Sequence, residues 1–173
     1  MLHKLRDLQG DPIHAEDGEV GSIDDLYFDD QGWDVHYLVV NARRLVPGRK
    51  FLVSPVSIDR ERTLSEGDIR VELTRDEIKR CPPAASGAHL CSSSEVIGYG
   101  IEARDGTIGK VADLVVDDET WAITDVLVDS RQWLPGRLLL VSPDVIERID
   151  WPEKKVHLRL ARAGCRRAPE VGV

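Results

Sequence analysis

The chain has 173 residues, 42% of them hydrophobic, enough for one ordinary domain or two small ones with a buried core. Its formal net charge of -8 repels a phosphate backbone on average, so no direct nucleic-acid partner is expected. No run of eighteen apolar residues occurs and the opening MLHKLRDLQGDPIH lacks the apolar stretch of a signal peptide, which points to a cytoplasmic protein with at most peripheral membrane association.

In chain order, the first feature is DGEVGSIDDLYFDDQGW at 17–33, and it is written again as DGTIGKVADLVVDDETW at 105–121. Residues 17–55 align with 105–143 without a gap, the mark of a duplicated unit. Asp-Gly opens each copy as a hairpin signal, and VGSIDDLYF or IGKVADLVV follows as an extended run. A turn at DDQG or DDET leads to the β-branched DVHYLVV or AITDVLV, then Pro-Gly and KFLVS or LLLVS, each stopped by a proline. IRVEL and KVHLRL close the two copies. About six short strands per copy predict an all-β fold of two tandem small antiparallel β-barrels or sandwiches. The spacing of Thr74 and Glu77 is that of a capping box and predicts a short helix over 74–80. Ala163 and Gly164 stand where the first copy has its acidic helix start, so the second closing helix is expected to be frayed or absent. The Pro, Gly, Ala and Ser of CPPAASGAH predict a linker, with domains at 1–80 and 92–173 joined through 81–91.

The repeated residues have a structural reading. Asp17, Asp105, Asp29 and Asp117 flank turns, where Asp accepts backbone N–H bonds. Alternation places Asp25 on the face of Ile23 and Tyr27, and Asp113 on that of Val111 and Val115. Each carboxylate there needs a partner, a backbone N–H or the repeated Arg43 and Arg131. Adjacent strand residues point to opposite faces, so neither Asp24-Asp25 nor Asp29-Asp30 offers two carboxylates to one substrate. The repeated Trp33 and Trp121 are expected to cap the turn before the central strand. Trp133, in place of Leu45, and Trp151 are specific to the second copy and are the candidate interface residues.

No nucleotide, metal or nucleophile motif occurs, so no catalytic residues, cofactor or metal are expected. Cys81, Cys91 and Cys165 make an odd count without CxxC spacing, and Cys81, His89 and Cys91 lack a fourth ligand for zinc.

The segments GEVGSIDDLYFD, VHYLVV, FLVSPVSI and VELTRDEIKRCPP, with GTIGKVADLVVD, ITDVLVD and LLLVSPDVI in the second copy, resemble the PRC-barrel family. This β-barrel module is named from the cytoplasmic domain of the photosynthetic reaction centre H subunit and also occurs at the C-terminus of a bacterial ribosome-maturation factor. The resemblance covers most of the chain as two modules and extends to stand-alone tandem proteins whose second module opens as SSSEVIGYGIEA does at 92–103. It implies a non-enzymatic protein-interaction adaptor, peripheral to a membrane electron-transport complex. The alternative it offers is a ribosome-assembly or RNA-processing factor that binds a ribosomal protein. Exposed strand edges in such barrels also lead to the expectation of a homodimer.

Overall fold

The computed structural model describes residues 1–66, 68–84, 90–130, 138–165 and 170–171. The first repeat runs β1 (Leu2–Lys4), α1 (Leu5–Leu8), β2 (Pro12–Ala15), β3 (Gly18–Phe28), β4 (Val35–Asn41), β5 (Lys50–Val53), α2 (Arg60–Glu66), β6 (Ile69–Arg70) and α3 (Arg75–Lys79). The second runs β7 (Cys91–Ser92), α4 (Ser93–Val96), β8 (Gly100–Ala103), β9 (Gly106–Asp117), β10 (Ile123–Asp129), β11 (Leu138–Val141), β12 (Ile146–Asp150), β13 (Lys155–Leu158), α5 (Arg162–Cys165) and β14 (Glu170–Val171). The fold is all-β in two sheets, and the duplication begins at β1 and β7, earlier than the alignment over 17–55 reaches.

One sheet has the order β5-β4-β3-β2-β6 with β7 also on β3, and the other β12-β13-β8-β9-β10-β11-β14 with β1 also on β9. The ladders are not purely antiparallel as the sequence pattern suggests. β2 pairs with β6, and β8 with β13, in parallel, because each closing strand returns through a long connection rather than a hairpin.

The long strands organise each sheet. β3 pairs along one edge with β4, while its other edge is shared by two short strands. β2 covers Gly18–Ser22 and β7 covers Tyr27 and Phe28. On β9, β8 takes the first part and β1 the last, with His3 opposite Val116 and Lys4 opposite Val115. Backbone groups past the end of β2 or β8 need ladder partners, and the opening strand of the other repeat supplies them.

The compact units therefore differ from the two contiguous halves that the sequence suggests. One consists of Leu5–Asp29 and Val35–Ser92, and the other of Met1–Lys4, Asp30–Asp34 and Ser93–Val173. The described part of the expected linker is also woven into structure. Pro82 O accepts from Leu52 N at 2.8 Å, Pro83 bridges to Phe51, and Cys91 lies in β7.

Each unit has its own core. Ile13, Val20, Ile23, Leu26, Phe28 and Leu38 are fully buried in the first, and Ile101, Ile108, Val111, Leu114, Val128 and Leu139 in the second. Strict alternation fails at repeated places, one of them in the middle of each long strand. Ile23 faces Val40 but Asp25 faces Val39, so Asp24 is bulged; Val111 faces Val128 and Asp113 faces Leu127, so Ala112 is bulged likewise. The bulge separates Asp25 from the face assigned by alternation: Ile23, Asp25 and Leu26 are all buried while Tyr27 is half-buried.

The repeated Ser-Pro ends β5 and β11 for a local reason. Ser54 Oγ accepts from Val56 N at 3.4 Å and Ser142 Oγ from Asp144 N at 3.3 Å, each opening a one-turn 3₁₀ helix with proline at its start. The repeated glycines are fixed by close approach. A Cβ on Gly21 would lie 1.9 Å from Asn41 O, and one on Gly109 1.9 Å from Asp129 O. Gly21→Ala or Gly109→Ala must push a backbone carbonyl aside, and each is expected to lower stability by about 3 kcal/mol in urea unfolding. A change below about 0.5 kcal/mol would contradict this close packing.

Candidate functional site

The repeated acids have separate structural partners. Asp17 Oδ1 accepts from Arg75 N and Asp105 Oδ1 from Arg162 N, both at 2.8 Å, so each Asp-Gly turn grips the first residue of a closing helix. The capping box is complete in α3: Thr74 Oγ1 accepts from Glu77 N, and Glu77 Oε1 from Thr74 N, each at 3.2 Å. The second closing helix is present, contrary to expectation, as the single turn α5. Asp105 supplies a side-chain acceptor at its start that Ala163 and Gly164 cannot.

Asp25 and Asp113 are 6% and 2% exposed. One oxygen of each accepts from the following backbone N–H, Leu26 or Leu114, at 2.8 Å. The other oxygen of Asp25 accepts from Ser92 Oγ, so a buried carboxylate holds the side chain of the incoming strand β7. Arg43 is exposed, and Arg131 lies outside the described residues. Asp24, on the bulge, meets Lys50 Nζ at 2.8 Å, which raises the pKa of the lysine through that hydrogen bond and the charge behind it.

Asp29 pairs with His36 at 2.7 Å, and Asp117 Oδ1 accepts from Glu119 N at 2.9 Å. Asp118 gathers His3 at 2.7 Å and the Met1 ammonium at 2.9 Å, which ties down β1. Partial burial pushes the Asp118 carboxyl up, but the hydrogen bonds from Met1 and His3 together outweigh it and the net shift is downward.

Trp33 and Trp121 are buried and adopt left-handed backbone, φ 59° and 55°. Trp33 O accepts from Ile123 N and Trp121 N donates to Asp117 O, both at 2.8 Å, placing the two residues in turns that lead into strands. Trp151 is half-buried and meets Tyr99 edge-on, ring centroids 5.6 Å apart. Trp133 lies outside the described residues.

An open groove of about 650 Å³ lies in the unit containing the second repeat. Its walls come from the turn at Gln31–Trp33, the start of β10, the Ser142–Asp144 turn and the length of β12. Asp30, Asp144, Glu147, Arg148 and Arg159 give it charges of both signs, with Trp33, Ile146 and Ile149 beneath. β12 is the last strand of its sheet, paired only with β13 among the described residues. Such a surface suits an extended polypeptide, which can use both backbone and side-chain hydrogen bonds. Sequence reasoning missed it because its parts are far apart in the chain. The available signal was the failing repeat: Glu61 in the first copy becomes Ile149 in the second, where helix α2 gives way to strand β12.

Among the described residues no group of three or more His, Cys, Asp or Glu side chains could hold a metal ion, and no helix is long and apolar enough to cross a membrane. Burial raises the thiol pKa values of Cys81 and Cys165, whose Sγ atoms donate to Glu77 O and Ala161 O.

Duplicated short strands, bent long strands and helices gripped by Asp-Gly turns define a β-module protein. Residues 2–78 match the PRC-barrel domain family, so the chain carries a PRC-barrel domain over its first repeat. No curated protein matches the chain.

The lowered Asp118 pKa means that its contribution to docking β1 is complete above the ordinary carboxylate range and is lost as pH falls through the depressed value. Amide exchange at His3 and Lys4 is expected to quicken relative to the β9–β10 ladder on acidification, and severalfold at neutral pH in Asp118→Asn. Unchanged relative protection in both experiments would show that Asp118 does not hold the strand.

Proposed function

We propose that this chain is a non-enzymatic adaptor in which the second repeat is also a PRC-barrel domain and its groove receives a segment of a partner protein. The observation that carries this reading is the groove itself, open beside a strand edge left unpaired among the described residues and lined by mixed charges over apolar side chains. Among the described residues the segment of the first repeat corresponding to β12 makes one bridge, Ile58 to Val71, before α2 begins at Arg60. The two copies thus divide the work, the first as scaffold and the second as binding module. The net charge of -8 favours a basic protein surface over nucleic acid. The resemblance to the reaction centre H subunit supports a partner in a membrane electron-transport complex, reached from the cytoplasmic side by peripheral association.

The test is cross-linking of the tagged full chain in its source cells, with captured proteins identified by mass spectrometry, for the wild type, Asp144→Arg and Arg159→Glu. Subunits of a membrane redox complex are expected with the wild type and are expected to fall at least about fivefold with either groove variant, the loss of roughly 1 kcal/mol. Capture of ribosomal proteins instead, or of the same subunits undiminished by both variants, would overturn the assignment of partner or of groove respectively.

A further inference from the structure

The free edge of β12 carries a sequence that is its own antiparallel complement. The strand ends its sheet, and among the described residues no backbone group pairs with it on the side away from β13. The register against β13 shifts between Ile146 and Arg148, a bulge that breaks alternation. As a result Ile146 and Ile149 are both buried, while Glu147 and Arg148 are both exposed.

Ile146-Glu147-Arg148-Ile149, laid antiparallel against a second copy of itself, sets Ile146 opposite Ile149 and Glu147 opposite Arg148, each pair occurring twice by symmetry. A twofold interface demands this kind of self-complementarity, and opposite charges directly across a strand pair favour it. The contact between neighbours Glu147 and Arg148, 3.8 Å with both side chains more than half exposed, is too weakly held to compete. A bulged, charged edge discourages pairing with an arbitrary strand. Here the bulge also turns both charges outward, so the edge selects a strand with the matching charge order.

We propose that β12 is a homodimerisation edge, its partner a second copy of this chain paired antiparallel about the Glu147–Arg148 step. The proposal goes beyond the adaptor reading and does not depend on it; because Ile146–Ile149 also line the groove, a second copy and a partner segment compete for this edge. A strand-edge contact lies at the weak end of the interface scale, so the dimer forms reversibly with concentration. Because a twofold contact uses the same edge on both copies, this edge is consumed by one pairing and association through it stops at two copies instead of running on into filaments.

Charge reversal tests it with the full chain. Sedimentation equilibrium from micromolar to several hundred micromolar is expected to show a monomer–dimer equilibrium for the wild type. Arg148→Glu faces acid with acid and Glu147→Arg faces base with base, and each is expected to weaken association about tenfold or more. The double variant E147R/R148E restores the pairs and is expected to recover the wild-type constant. An equimolar mixture of the two single variants is expected to associate as a heterodimer although neither associates alone. Both side chains are exposed, and circular dichroism checks that each variant is folded. A wild type that stays monomeric throughout the range, or a dimer insensitive to both reversals, overturns the proposal, as does failure of the double variant and the mixture to recover association.

Discussion

Each unit depends on one close crossing of backbones. Gly21 of β3 and Gly109 of β9 let the carbonyls of Asn41 and Asp129 come within a distance that no Cβ tolerates. The crossing holds the long strand against its neighbour, and the bulge at Asp24 or Ala112 then re-aims it. Past that bend the short strand β2 or β8 no longer covers the far edge, and a second short strand must. The exchange of β1 and β7 follows from this geometry: each repeat's opening strand completes the ladder of the other's long strand.

The carboxylates serve the same construction with unequal weight. Asp24 and Lys50 form an exposed pair worth about 0.2–1 kcal/mol. Asp25 is buried, and leaving a buried polar group without a hydrogen-bond partner costs about 1–3 kcal/mol. The bonds from Leu26 N and Ser92 Oγ are therefore the ones that matter, and the second of them ties the incoming strand to the core. The turn acids Asp17 and Asp105 act at long range in sequence, each fixing the start of a helix that closes its repeat. All of these partners are protein groups that fasten one element to the next.

Much of this was legible because the chain states its plan twice. Gapless repetition with Asp-Gly, Pro-Gly and Ser-Pro punctuation marks the same strands in both copies, and the capping box of Thr74 and Glu77 locates α3. The strand exchange was not legible, since β1 and β7 are three and two residues long and neither carries a pattern naming its partner. Bulges hide for a related reason: alternation counts residues, while an inserted residue changes the face without changing the composition. The helix α5 escaped because its capping acceptor, Asp105, lies 57 residues upstream of the residue it binds. The groove escaped because the sequence shows only one of its walls as unusual, the strand that replaces α2. Where the repeats agree they describe the scaffold, and where they part, at β12, they describe what distinguishes the second unit.

The central claim is that the opening strand of each repeat belongs to the unit built on the other's long strand. It is tested most directly by cross-strand nuclear Overhauser contacts in the labelled full chain. The account predicts contacts between the backbones of His3 and Val116 and of Cys91 and Phe28, the pairs across β1–β9 and β7–β3. Contacts of His3 with Phe28 and of Cys91 with Val116 in their place would put each strand on its own repeat, and would contradict the exchange.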